Sequence, residues 1–148
     1  MVMAAFGKTY TVLVVDDQEA TRLLVGRILS QELGARIVLA GTCERALHLA
    51  GETAFDVIVL DLMMPGSGGF ELLKRLRMDS ANRATPVVVL SEVVDEESML
   101  LCRVLGAGSF VSKPVEHQRI VEVVTELLPS HAARIHARSW RQPERTRG

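Results

Sequence analysis

Val57-Ile58-Val59-Leu60 and Val87-Val88-Val89-Leu90 are unbroken runs of branched aliphatic residues. Successive side chains of a strand point to opposite faces, so such a run is apolar on both. A strand of that kind is stable only inside a sheet covered on both sides, the usual setting of parallel strands. Thr11-Val12-Leu13-Val14-Val15 has the same character, while Arg36 to Ala40 and Ser109 to Val111 are weaker strand candidates. The spacing predicts the third strand over Phe55 to Leu60 and the fourth over Pro86 to Leu90.

Segments of helical period lie between these runs. Ala20 to Leu33 sets Leu24, Ile28, Leu29 and Leu33 on one stripe and ends at Gly34. Thr42 caps a helix through Ala50 closed by Gly51, and Phe70 to Met78 turns Leu72, Leu73 and Leu76 inward. Asp95 caps a helix to about Leu105, and Glu116 to Leu128 turns Ile120, Val123, Val124 and Leu127 inward. Five βα units in a row with right-handed crossovers predict an α/β fold, a parallel sheet between two layers of helices.

The chain has 148 residues, 48% apolar and 24% charged, which suits one domain with a sizeable core. The net charge of −1 conceals an asymmetry: residues up to Leu128 carry 12 Lys+Arg against 17 Asp+Glu, and those beyond carry five Arg and one Glu. The expected organisation is an extension over 1–10, the folded unit over 11–128 and a basic tail over 129–148. Cys43 and Cys102 form no spaced ligand motif and read as reduced core residues. No apolar run approaches the roughly 20 residues that span a bilayer. The N-terminus lacks the pattern of a signal peptide, so a cytoplasmic protein without a membrane partner is expected.

Five polar residues stand where the apolar runs end: Asp16 and Asp17, Asp61, Ser91 and Lys113. Open α/β sheets place their sites at the carboxyl ends of the strands. Three carboxylates gathered there raise one another's pKa unless a cation intervenes, and a hard divalent ion such as Mg²⁺ takes oxygen ligands. For Asp16-Asp17 alone, helix capping plus solvation is an equal explanation; the third carboxylate weighs against it. Beside a divalent ion, Asp61 is a candidate nucleophile toward phosphorus. Met63-Met64-Pro65-Gly66 suits a turn, and equally a loop that brings the Met63 carbonyl to a metal. Lys113 is a partner for the carboxylates or for phosphoryl oxygens, and Pro114 allows a cis peptide that aims it inward. Ser91 alone says nothing.

Taken together, Val14-Val15-Asp16-Asp17, Val59-Leu60-Asp61-Leu62-Met63-Met64-Pro65 with Gly69, Ser91 and Lys113-Pro114 resemble the receiver domains of two-component response regulators. The resemblance covers roughly Thr11 to Leu128. It implies a doubly wound, flavodoxin-like (βα)5 sandwich with a five-stranded parallel sheet, here in a stand-alone chain. It implies that Asp61 accepts a phosphoryl group from the phosphohistidine of a histidine kinase or histidine phosphotransfer protein. Asp17, Asp61, the Met63 carbonyl and Asp16, the last partly through water, would hold Mg²⁺ or Mn²⁺. Lys113 would pair with the aspartate and then with phosphoryl oxygens, and Ser91 would bond one of these oxygens. Phe110 takes the place of the switch aromatic, and Met63 and Val93 flank the site where phosphoryl lifetime is tuned. The fourth helix, fifth strand and last helix would form the face that binds a downstream protein or a second copy. The domain would catalyse its own phosphorylation and dephosphorylation rather than act as an enzyme on other substrates.

Other readings fit less well. Aspartate-nucleophile phosphatases separate their two Asp by one residue, and here they are adjacent; Gln18-Glu19-Ala20-Thr21 is a poor phosphate loop for a flavin. No G-x-x-x-x-G-K-[ST] sequence occurs. The arginines of the tail, with Trp140, read as a solvated extension; no helix-turn-helix length remains, and nucleic acid is not expected. Two departures from the family pattern stand out: Gly68, where an Asp commonly precedes the loop glycine, and Glu92, where a small residue usually follows the Ser. Glu92 either narrows the site or points to solvent, and a phosphate-independent interaction module is the alternative it supports. If Glu92 repels the donor, Glu92→Ala will be labelled faster by acetyl phosphate; equal or slower labelling, followed by intact mass, counts against that role.

Overall fold

The computed structural model describes residues 9–65, 68–78, 81–92 and 95–129. The proposed N-terminal extension lies almost wholly outside the described residues, as do Val93 and all of the basic tail beyond Pro129.

Five strands, β1 (Thr11–Val15), β2 (Arg36–Ala40), β3 (Val57–Asp61), β4 (Val87–Ser91) and β5 (Ser109–Ser112), form one parallel sheet in the order β2-β1-β3-β4-β5. Among the described residues five helices alternate with them: α1 (Glu19–Leu33), α2 (Cys43–Glu52), α3 (Gly68–Leu76), α4 (Glu96–Val104) and α5 (His117–Leu127). This is the doubly wound (βα)5 sandwich expected.

The period-two alternation of the strands sorts the core into two layers. Val12, Val14, Val57, Val59, Val88 and Leu90 point to α1 and α5, against Ile28, Leu29, Ile120 and Val124. Leu13, Val15, Ile58, Leu60, Val87 and Val89 point the other way, to Ala46 of α2, Leu72, Leu73 and Leu76 of α3, and Cys102 of α4. Each fully buried Leu or Ile contributes roughly 1.5–3 kcal/mol. All five residues of β3 and of β4 are buried, whereas the edge strands β2 and β5 are partly exposed, which explains their weaker sequence signal.

Helix boundaries follow local chemistry with some shifts. Gly34 ends α1 in the left-handed conformation at φ 64°, as expected of a C-terminal glycine. Thr42 and Asp95 cap α2 and α4 through side-chain bonds from the Arg45 and Ser98 amides. The buried stripe of α1 runs through Val25 instead of Leu24, which is 44% exposed, and Leu127 of α5 is only half-buried.

The second helix passes through Gly51 to Glu52 because its end is held from outside. Asn82, fully buried, donates from Nδ2 to the carbonyls of Ala50 (2.7 Å) and Thr53 (2.9 Å). Its Oδ1 accepts from the Phe55 amide (2.9 Å) and the Thr85 hydroxyl (3.0 Å). Nearby, Arg77 donates to the carbonyls of Leu105, Thr85 and Gly106, joining the end of α3 to the turn after α4. Periodicity reveals neither residue, since the carbonyls of Ala50, Thr53, Leu105 and Gly106 that they hold lie about 30 positions away.

A buried polar side chain with every bond made is costly to truncate, because its partners stay behind unpaired. Asn82→Ala is expected to lower unfolding stability by about 2–4 kcal/mol in urea denaturation. A loss under about 0.5 kcal/mol is the outcome that contradicts this account.

Candidate functional site

The sheet register builds the site. Val15 of β1 is level with Leu60 of β3, so Asp16 and Asp61, each one residue further on, emerge at the same height. The strand order reverses direction between β1 and β3, which opens a crevice at their carboxyl ends. Leu60 pairs with Val89 and Ser91 with Ser112, which sets Ser91 and Lys113 along the same edge. The Lys113 amide donates to the Ser91 carbonyl at 2.9 Å, and the Lys113-Pro114 peptide is cis.

The carboxylates of Asp16, Asp17 and Asp61 offer oxygens that lie within 4.8 Å of one another. Asp16 is fully buried, Asp61 is 3% exposed and Asp17 faces solvent. Asp16 is fastened on three sides: its amide donates to the Ala40 carbonyl (3.1 Å), its carbonyl accepts from Arg22 Nη1 (2.7 Å), and Oδ1 accepts from the Gln18 amide (2.8 Å). Asp61 Oδ1 accepts from the Met63 amide at 3.2 Å. Lys113 Nζ lies 2.9 Å from Asp16 Oδ2 and 3.5 Å from Asp61 Oδ2. The first is a close ion pair, and among the described residues no hydrogen bond reaches Asp16 Oδ2 besides it.

Burial and the charge of Asp16 push the Asp61 carboxyl up to about 6, with Asp17 adding to the rise and the Met63 amide and Lys113 opposing it. One ammonium does not neutralise three carboxylates. The remaining negative charge and the all-carboxylate donor set fit a hard divalent cation with oxygen ligands.

Asp16, Asp17, Asp61 and Lys113 are thus brought together, with the Met63 backbone beside them. The Met63 side chain points outward, 58% exposed. Ser91 is buried at the end of the neighbouring strand. Glu92 is exposed, and Phe110 is half-buried against the α2–α3–α4 layer. Val93 lies outside the described residues. The loop after Asp61 folds back so that the Gly69 amide reaches the Leu62 carbonyl at 3.0 Å. A Cβ on Gly69 would stand 2.6 Å from the Asp61 and Leu62 carbonyl oxygens, so the loop needs glycine there. Two residues escaped sequence reasoning: Arg22, which holds the Asp16 carbonyl, and Gln18, whose Oε1 accepts from Lys113 Nζ at 2.9 Å.

The model of the response regulator receiver domain matches residues 12–125, and the chain belongs to that family. The sensory/regulatory protein RpfC of Xanthomonas campestris pv. campestris is 35% identical over 125 residues, 83% of this chain but only 17% of RpfC. The solved chemotaxis protein CheY4 of Vibrio cholerae superposes with a TM-score of 0.77 at 30% identity, covering 82% of this chain and 100% of CheY4. The BeF3-activated receiver domain of DrrB from Thermotoga maritima superposes at 0.72 with 29% identity, covering 81% of this chain and 97% of that domain. No helix among the described residues is long and apolar enough to cross a membrane.

The raised Asp61 pKa has a consequence for stability. A carboxyl that holds its proton more tightly in the folded chain costs no stability below its unfolded pKa near 4. It costs progressively more as the pH rises to about 6, and the cost is constant above. In metal-free buffer Asp61→Asn is therefore expected to gain roughly 1–3 kcal/mol at about pH 7.5 and almost nothing at about pH 4. Equal gains at both, measured by urea denaturation, would contradict the assigned cause.

Proposed function

We propose that this receiver domain is a phosphoacceptor and that Asp61 takes a phosphoryl group from the phosphohistidine of a histidine kinase or histidine phosphotransfer protein. The observation that carries this is the convergence of three carboxylates at one strand edge on a single ammonium that pairs with two of them.

Asp16, Asp17 and Asp61, with the Met63 carbonyl, are the groups to hold Mg²⁺ or Mn²⁺. When bound, that ion supplies charge neutralisation for the carboxylates and the incoming phosphoryl oxygens. The remaining work belongs to the chain. With its carboxyl held at about 6, Asp61 is mostly ionised at neutral pH and available as a nucleophile. A carboxylate oxygen forms a bond to phosphorus as the phosphorus–nitrogen bond to the donor imidazole breaks. The bonding pair leaves with that nitrogen, and an acyl phosphate remains. Lys113 is placed to meet the added oxygens, and Ser91 supplies a hydroxyl on the adjacent strand. Such a reaction depends mainly on positioning and charge stabilisation.

In the same reading the phosphoryl group, with roughly one and a half to two negative charges, draws Ser91 toward it. Phe110, half-buried before the change, turns inward, and the face of α4, β5 and α5 is remodelled for a downstream protein or a second copy. The phosphate-independent alternative leaned on Glu92. Glu92 is exposed, and the labelling of Glu92→Ala separates the two readings. The receiver unit is proposed to span 11–128, with the tail outside it.

The test uses intact mass after incubation with acetyl phosphate, with and without Mg²⁺. Wild type is expected to gain one phosphoryl mass only with the ion, and Asp61→Asn to gain none. An unmodified wild type, with a working donor and a positive control receiver, ends this proposal.

A further inference from the structure

Lys113 is held by a residue that plays no part in the reading above. Its Nζ lies 2.9 Å from Gln18 Oε1, as close as to Asp16 Oδ2 and closer than the 3.5 Å to Asp61 Oδ2. Of the three, the contact to Gln18 has hydrogen-bond geometry, whereas Asp16 Oδ2 accepts no hydrogen bond. An ammonium carries three protons on a tetrahedral centre. Fixing one of them on a neutral oxygen confines the other two to directions that sweep the carboxylate cluster.

The place of Gln18 in the chain supports a dedicated role. It occupies the N-cap of α1, where Ser, Thr, Asp or Asn would ordinarily bond the first-turn amides. Gln18 makes no side-chain cap bond. Its backbone is fixed instead: the amide donates to Asp16 Oδ1 at 2.8 Å, and the carbonyl accepts from the Arg22 amide at 3.0 Å. The side chain is thereby left to reach Lys113, 95 positions further along the chain. Glutamine also suits the electrostatics. A carboxylate here would add a fourth negative charge and compete with Asp61 for the ammonium. Asparagine, one methylene shorter, would draw the acceptor back.

We propose that Gln18 is the positioning residue of Lys113, holding the ammonium at the mouth of the carboxylate cluster, where it meets a phosphoryl oxygen carried by Asp61. The phosphoryl part of this inference rests on the phosphoacceptor reading; the hold on Lys113 does not.

Two measurements test it on the full chain. The first needs no phosphate: with ¹⁵N-labelled lysine, the Lys113 ammonium is expected to give a slowly exchanging NMR signal in wild type. That signal is expected to be lost in Gln18→Ala and Gln18→Asn. The second is a double-mutant cycle on beryllofluoride binding with saturating Mg²⁺. Gln18→Ala is expected to weaken binding by about 2- to 12-fold, the net worth of one exposed hydrogen bond. Mg²⁺ affinity is expected to stay within about two-fold, since Gln18 is no ligand, and the same change on a Lys113→Ala background is expected to do nothing further. A helix-capping role alone would lower thermal stability and leave the ammonium signal and the cycle untouched. An unchanged Lys113 signal, or an undiminished effect of Gln18→Ala without Lys113, overturns the inference. If wild type fails to bind beryllofluoride in an Asp61-dependent way, the phosphoacceptor reading falls, and the ammonium signal still decides whether Gln18 holds Lys113.

Discussion

Repulsion among Asp16, Asp17 and Asp61 is the constraint on which the site depends. Two of the three carboxylates are buried, and for Asp61 burial favours the neutral form. The fold surrounds them with donors: the Gln18 amide on Asp16, the Met63 amide on Asp61 and the Lys113 ammonium facing both. These donors compensate in part only. The raised pKa of Asp61 is the residue of that imbalance. A site left short of positive charge attracts a cation.

The scaffold makes this tension tolerable. The two central strands are buried along their whole length and flanked by helices on both sides, so the ends of β1 and β3 are rigidly aligned. Their unshifted register puts Asp16 beside Asp61. A slip of one residue would turn one carboxylate to the opposite face of the sheet. Away from the site, Asn82 and Arg77 satisfy backbone carbonyls at helix ends and turns, the kind of bonding that lets short loops close over an aliphatic core.

Much of this was legible in the chain. The aliphatic runs of β3 and β4 announce a doubly covered sheet, and the caps at Thr42 and Asp95 and the stop at Gly34 are local signals that hold in the structure. Boundaries failed where a distant group intervened. Gly51 does not end α2, because Asn82 takes the carbonyls of Ala50 and Thr53. Leu24 reads as a core residue by spacing, yet α1 is rotated so that Val25 packs inward. The rotation of a helix on a sheet is set by the surface beneath it, here including the close approach of Gly26 to Ile37 and Leu39 of β2.

The sequence by itself determined which residues could do chemistry and that they stand at the ends of strands, because side-chain type and periodicity are local properties. It determined the layered α/β architecture for the same reason. Tertiary structure alone decided the distances: Asp16 level with Asp61, Lys113 nearer to Asp16 than to Asp61, and Gln18 within reach of an amine 95 residues away. Those facts depend on register and on how strands from opposite ends of the chain meet, and no local pattern encodes where a side chain's partner will lie once the sheet has closed.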